Sequence, residues 1–240
     1  SSDIFAGMDD ENSLRWLRLN PSITEYSSEE TRIDFQYILK TERYLTRLTL
    51  IGNELGSSLE GIFNSQNLAT LVIRDNEIGD EGARYVSLWI KKTRNLRHLD
   101  LSNNNINAKG SQLLARELGE KDSLVEFHFA RNKPGDKFGS FIQSLSKCHR
   151  LEVLNLAELK VERNEANDLK EVMRRNGRLR SVQIMVTQKE LSSMILALRG
   201  VSQVYLQGEY SWNWRRRTLD KTILRAFESW ITSAKEGSSF

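Results

Sequence analysis

The sequence predicts an α/β fold: a solenoid of strand–helix units stacked side by side, with one parallel sheet and one layer of helices. Three observations predict it. An apolar frame recurs along the chain at spacings of 23, 28, 28, 27, 28 and 22 residues. The clearest copies carry Asn at one fixed offset. Behind the two best copies, a glycine opens a segment whose apolar residues keep helical period.

The frame places apolar residues at offsets zero, three, five and ten, with Asn at eight. It is complete in Leu96, Leu99, Leu101, Asn104 and Ile106. It returns as Leu45, Leu48, Leu50, Asn53, Leu55 and as Leu68, Leu71, Ile73, Asn76, Ile78. Leu124, Phe127, Phe129 and Asn132 follow, with Pro134 in the last slot; then Leu151, Leu154, Leu156 and Val161, with Leu159 replacing the Asn. Weaker copies are Leu179, Val182, Ile184 and Val201, Val204, Leu206, and a partial first copy is Leu14, Leu17, Leu19. The first half of each unit predicts a short strand, because alternate residues there share a face. The second half predicts a helix. Gly82 and Gly110 lie six residues beyond Asn76 and Asn104, and Ala83, Val86, Ile90 and Leu114, Leu118 follow at helical spacing.

At these residues, over roughly 45–206, the chain resembles the ribonuclease-inhibitor-like leucine-rich repeats, whose unit is LxxLxLxxNxL followed by a helix led by Gly. The resemblance implies a curved array, with the parallel sheet on the concave side and helices on the convex side. It also implies that each frame Asn bonds the backbone of its turn, whose polar groups would otherwise lack partners. Leu159, Thr187 and Glu209 stand where Asn is expected, so the last three turns should be less regular. Arrays need capped ends. Ser27–Lys40 predicts an N-terminal capping helix, with Ser27-Ser28-Glu29-Glu30 as a capping box. Leu219, Ile223, Phe227, Trp230 and Ala234 predict a C-terminal lid. The expected organisation is a partial repeat and capping helix over 1–44, repeats over 45–208, and a capping segment and helix over 209–240.

Composition narrows the function classes. The chain has 240 residues, 39% of them hydrophobic and 28% charged, the profile of a folded rather than disordered protein. A net charge of +3 disfavours a nucleic-acid partner, since such proteins concentrate a larger basic excess. Cys148 is the single cysteine, so neither an intrachain disulfide nor a paired-cysteine metal framework exists. No apolar run approaches the ~18 residues of a membrane helix, no Asn-x-Ser/Thr acceptor occurs, and no signal-like segment leads the chain. A cytoplasmic setting is expected, or a host cytosol for a secreted effector. The expected state is a monomer, with no membrane partner and no cofactor. Neither end carries a processing signal, as in a fragment of a longer protein.

No phosphate loop, HExxH, GxSxG or paired-Cys motif is present, so the chain is not expected to be an enzyme. Candidate residues come from strand alternation: side chains between the frame leucines point toward the concave side. They include Arg15, Trp16 and Arg18; Arg47; Arg74; His98 and Asp100; Glu126, His128 and Arg131; Glu152, Asn155 and Glu158; and Tyr205. Trp16 stands out because Trp and Arg dominate interface hot spots. His98, Asp100, Glu126 and His128 fall on strands about 4.8 Å apart and could in principle hold a divalent metal. A polar ridge on an open surface is the favoured reading, and no metal is expected. Trp212-Asn213-Trp214-Arg215-Arg216-Arg217 interleaves rings and cations, as single-strand binders do; a loop packed on the last repeat is preferred. Lys170, Arg174, Arg175, Arg178 and Arg180 read as a solvated edge.

The expected function is recognition of a partner protein on the concave face, as inhibitor, scaffold or sensor. The partner-binding set is Trp16, Arg18, Arg47, Arg74, His98, Asp100, Glu126, His128, Arg131, Asn155 and Tyr205. The alternatives are a regulator of a small GTPase, an RNA binder using Trp212 to Arg217, and a metal-dependent protein centred on His98 and His128. One departure on the helix side needs an explanation: Leu88 and Trp89 align with Arg116 and Glu117, which should face water. Either Trp89 folds over a short helix near Leu59–Phe63, or the pair belongs to a second interface with a partner or another copy of the chain; the expectation is that Trp89 is covered.

Overall fold

The computed structural model describes residues 4–8, 14–19, 44–52, 55, 59, 66–186, 190, 194, 201, 203–207 and 212–215. Ten strands join into one sheet in chain order: β1 (Ile4–Met8), β2 (Leu14–Leu19), β3 (Arg47–Leu50), β4 (Thr70–Val72), β5 (His98–Asp100), β6 (Glu126–His128), β7 (Val153–Val161), β8 (Ser181–Val186), β9 (Gln203–Gln207) and β10 (Trp212–Arg215). Strands β2 through β9 pair in parallel. Among the described residues, four helices fall between them: α1 (Gly79–Lys92), α2 (Ala108–Leu118), α3 (Phe138–Leu145) and α4 (Arg163–Arg175).

The apolar frame builds the core. Leu48, Leu71, Leu99, Phe127, Leu154 and Val182 are successive partners across the sheet and are all buried. The helices contribute Val86, Ile90, Leu114, Leu118, Phe141, Ile142, Leu169 and Val172 to the same cluster. Side chains of Phe127, Phe129 and Phe141 meet with ring centroids 4.5 to 6.0 Å apart. Cys148 is buried there too; burial pushes its thiol up to about 12, and Sγ lies 3.4 Å from the Leu118 carbonyl. This cysteine packs as a small apolar residue.

Three frame asparagines form a buried ladder. Asn104 Nδ2 donates to the carbonyls of Ile73 (2.8 Å), Leu101 (2.9 Å) and Ser102 (3.1 Å), and its Oδ1 accepts from Asn76 N at 3.1 Å. Asn132 repeats the pattern, accepting from Asn104 N and Ile106 N and donating to Leu101 and Phe129. Asn76 donates to Leu50 and Arg74. These bonds satisfy turn groups that leave the sheet without partners.

The glycines that lead the helices serve close approach. Asp80 of α1 reaches the next unit, where its Oδ1 accepts from Asn107 N (2.8 Å) and Gly110 N (3.0 Å) at the start of α2. A Cβ on Gly110 would stand 2.6 Å from that oxygen and 2.9 Å from Ala83 Cβ. A side chain there would force the helices apart.

Several elements differ from expectation. The parallel stack is flanked at each end by an antiparallel strand, β1 on β2 and β10 on β9. Trp212 to Arg215 is therefore strand, not loop: its backbone extends the sheet where the sequence suggested ring packing alone. The proposed capping helices over Ser27–Lys40 and Leu219–Ala234 lie outside the described residues. On α1, Trp89 is fully buried, whereas Leu88 keeps 37% of its surface. Of the two residues expected to face water, Arg116 does, but the Glu117 side chain is only 16% exposed. That helical position turns partly inward, which is why a tryptophan fits it in the neighbouring unit. Of the short helix proposed near Leu59–Phe63, only Leu59 is described, and it is buried.

Candidate functional site

Strand register lines the candidate residues up in two rows on the sheet face opposite the core leucines. One row runs Trp16, Arg47, Thr70, His98, Glu126, Val153, Ser181 and Gln203. The other runs Arg18, Thr49, Val72, Asp100, His128, Asn155, Gln183 and Tyr205. Every residue from Trp16 to Ser181 in the first row, and from Arg18 to Gln183 in the second, is half-buried or exposed. The Tyr205 side chain lies outside the described part of β9.

The rows are not uniform. Trp16 is 40% exposed and stands opposite Gly7 of β1. A Cβ built on Gly7 would fall 1.9 Å from Trp16 Nε1, so the indole lies over a backbone that only glycine leaves bare. Arg18 and Arg47 beside it are exposed. Further along, His98 Nδ1 sits 3.0 Å from Glu126 Oε2, both side chains half-exposed. Asp100 and Asn155 do the same local job two strands apart: each accepts a backbone bond from two residues on, Ser102 N at 2.9 Å and Ala157 N at 3.0 Å. These two side chains brace their own turns.

His98, Asp100, Glu126 and His128 therefore do not converge. His98 and Glu126 meet each other and Asp100 is committed to its turn; among the described residues no three His, Cys, Asp or Glu side chains gather as a metal site. No described helix is long and apolar enough to cross a membrane.

Other residues fall off the two rows. Arg74 follows β4 and lies 3.7 Å from Asp75. Arg131 sits on a ridge of turns with Glu158, where Arg131 Nε meets Glu158 Oε1 at 2.6 Å. Asp75 and Asn103 hold the same place two units and one unit before Arg131 and bond at 2.7 Å. All four have left-handed backbone, φ 53 to 60°, a costly conformation outside glycine that this turn imposes repeatedly. Arg15 leaves the face to lie over the Tyr44 ring at 5.3 Å. Val153, not Glu152, occupies the row position opposite Glu126; counting alternation back from buried Leu154 would have found it. Gly7 was also missed, since Ile4–Met8 has no polar residue and so no alternation to mark its faces.

At Trp212 and Trp214 the register pairs Leu206 and Val204, which continue the rows of core residues Ile184 and Val182. Asn213 and Arg215 pair Tyr205 and Gln203 in the open-face rows. The two tryptophans thus occupy the core's register positions.

Leucine-rich repeat sequence matches at residues 64–87 and 92–115. No curated protein matches the chain in sequence. Among solved structures, the chain is similar to "Leiomodin-1 Actin-Binding Site 2 (ABS2)", at 18% identity, covering 68% of this chain and 95% of that one, with a TM-score of 0.47. Two units thus match the leucine-rich repeat in sequence, and strands in the same register continue the sheet on either side of them.

Proposed function

We propose that the chain is a non-catalytic protein-recognition module, whose partner sits across the two rows of the open sheet face, on the concave side of the array. One observation carries this reading. The strand ladder brings Trp16, Arg18, Arg47, His98, Glu126, His128 and Asn155, scattered over 140 residues of sequence, into two straight rows on one surface. Buried leucines and the asparagine ladder lie beneath that surface, so little ordering entropy remains to be lost on binding. A half-exposed tryptophan between two exposed arginines has the composition of an interface hot spot. The outward run from Arg18 and Arg47 to Asp100 and Glu126 changes sign along the face, which favours one orientation of a charged partner.

The test is affinity capture with the intact chain, beside Trp16→Ala/Arg47→Glu and a helix-side control, Leu88→Glu. The expected result is a protein captured by wild type and control but lost with the double variant, a weakening of several kcal/mol. Equal capture by the double variant, or loss only with Leu88→Glu, would move the site to the helices and end the proposal.

A further inference from the structure

The segments leading from each helix into the next strand stack on one another along a single edge of the molecule. Backbone bonds fix the stack: Arg97 N donates to Ala69 O, Val125 N to Arg97 O, Glu152 N to Val125 O and Arg180 N to Glu152 O, at 2.7 to 2.8 Å. Side chains repeat it on the helix side, where Lys121 Nζ donates to Thr93 O at 2.7 Å and Asn176 Nδ2 to Cys148 O at 3.0 Å.

Charge is partitioned between this edge and the opposite one. The four helix-to-strand links, 93–97, 119–125, 146–152 and 176–180, hold seven Lys and Arg against three Asp and Glu. The strand-to-helix links on the other edge, 73–78, 101–107, 129–137 and residue 162, hold four of each. The chain total of +3 therefore conceals a local excess of +4. Two of the cations have carboxylate partners, Lys147 with Glu120 at 3.5 Å and Arg180 with Glu152 at 3.6 Å. Arg94, Arg97, Arg150 and Arg178 are exposed and make no ion pair among the described residues. The cations also crowd one another. Burial holds Lys121 below its ordinary pKa, and the like charge of Arg94 adds to this against Glu117.

Helix dipoles account for Lys91 and Lys92 and for Arg174 and Arg175, which lie in last helical turns. That effect fades within a turn, and the four exposed arginines lie beyond the helix ends. The links contain no Trp, Tyr or Phe. A single strand would find no ring to stack on, and a protein partner no aromatic anchor. What remains is four exposed guanidinium forks, two on link 93–97 and one each on links 146–152 and 176–180, the group that matches phosphate oxygens in pairs; link 119–125 between them adds Lys121 and two acids. Four helices packed at about 8–10 Å intervals make the edge roughly 30 Å long. The partner with the densest phosphate line is a duplex, one charge per about 1.7 Å.

We propose that this edge binds the phosphodiester backbone of a nucleic-acid duplex, without reading its bases, independently of the protein site on the open sheet face. The test uses the full chain and a fluorescein-labelled duplex of about 20 base pairs, titrated by anisotropy over a range of salt. The expected affinity is on the order of 1–100 μM at physiological salt, with log K falling against log salt at a slope of about −3 to −4, as four phosphate contacts require. Arg94→Glu/Arg97→Glu/Arg178→Glu should weaken binding at least about tenfold and flatten the slope. Arg150→Gln alone, a milder change, should reduce the slope by about 0.9. Arg47→Glu on the open face should change neither. The proposal is overturned by no binding at low salt, or by an unaltered slope in both edge variants. It is equally overturned if phosphatidylserine vesicles or polyglutamate bind more tightly than the duplex.

Discussion

Replacing Gly110 with alanine tests how the units are held together. Alanine is the better helix former by about 1 kcal/mol, so a helix judged alone would gain. The structure requires a loss. The new Cβ would stand 2.6 Å from Asp80 Oδ1, 2.8 Å from Ile106 Cγ2 and 2.9 Å from Ala83 Cβ. Ile106 and Ala83 are fully buried and have nowhere to move. Asp80 can retreat only by giving up its bonds to Asn107 N and Gly110 N, a cap worth about 1 kcal/mol. Overpacking a filled core adds about 1–3 kcal/mol, so the net loss should be about 1–3 kcal/mol after the propensity gain. Two companions calibrate it. Gly139→Ala meets one carboxylate oxygen of Asp168 at 3.1 Å and should cost less. Gly177→Ala meets nothing within 4 Å and should be neutral or gain about 0.4–1 kcal/mol. Urea unfolding followed by circular dichroism gives the order Gly177→Ala, Gly139→Ala, Gly110→Ala in falling midpoint. A Gly110→Ala chain as stable as Gly177→Ala would refute the close approach through Asp80.

Asn104→Ala should cost more than about 2 kcal/mol, because three carbonyls and one N–H lose partners inside the protein; Asn155→Ala, which loses one part-buried bond from Ala157 N, should cost only about 0.5–1.5 kcal/mol in the same unfolding assay. Trp89→Ala removes a fully buried ring and should cost about 3–5 kcal/mol; a change as small as a surface site's would mean the indole is not packed in the core. Glu171 is held at about 2 by hydrogen bonds from Arg174 and then Arg175. Its carboxyl binds protons less readily folded than unfolded, so its contribution is present above the unfolded value near 4.5 and is lost as pH falls toward 2. An NMR titration of the Glu171 carboxyl should show the low midpoint, and Arg174→Gln/Arg175→Gln should raise it.

Much of the fold was legible because leucine spacing and strand register are the same fact. An apolar residue at offset three must be inside, and the residues on either side of it must then share the other face. That logic assigned Trp16, Arg47, His98 and Glu126 to one face from sequence alone, and the strand register sets them in one row. It failed at Glu152, where the count skipped Val153, at Arg131, where the chain has already left β6, and at Glu158, which sits in the bulge of β7 with left-handed backbone. No periodicity extends into a turn whose residues adopt left-handed backbone. Hydrogen-bond direction was also illegible. Asp100 and Glu126 are equivalent carboxylates in the sequence, yet one braces its own turn and the other meets His98. The basic edge was hidden for a different reason. Its residues come from four links about 27 residues apart, and only stacking sums their charge.

The replacement of the fourth asparagine by Leu159 shows how the backbone accounts for itself when a side chain stops doing so. Through Asn132 each turn leaves the sheet after three residues, and β4, β5 and β6 are each three residues long. The asparagine amide then supplies the partners that the departing backbone lacks. Leu159 has no amide to offer, and it is buried with the core. A turn of the same shape would leave those carbonyls and N–H groups orphaned at a cost of about 1–3 kcal/mol each. Instead β7 runs nine residues, Val153–Val161, and β8 runs six. Their pairing breaks register between Leu156 and Lys160 and then resumes, Lys160 with Met185 and Val161 with Val186. Ladder bonds between strands replace the missing side-chain bonds, and the irregularity is confined to one bulge. The sequence called for a less regular turn at Leu159, and the structure answers with more sheet. It follows that Leu159→Asn should not restore the earlier turn: β7 and β8 pair again at Lys160 and Val161, directly after this position, and a polar amide would be buried in place of a leucine.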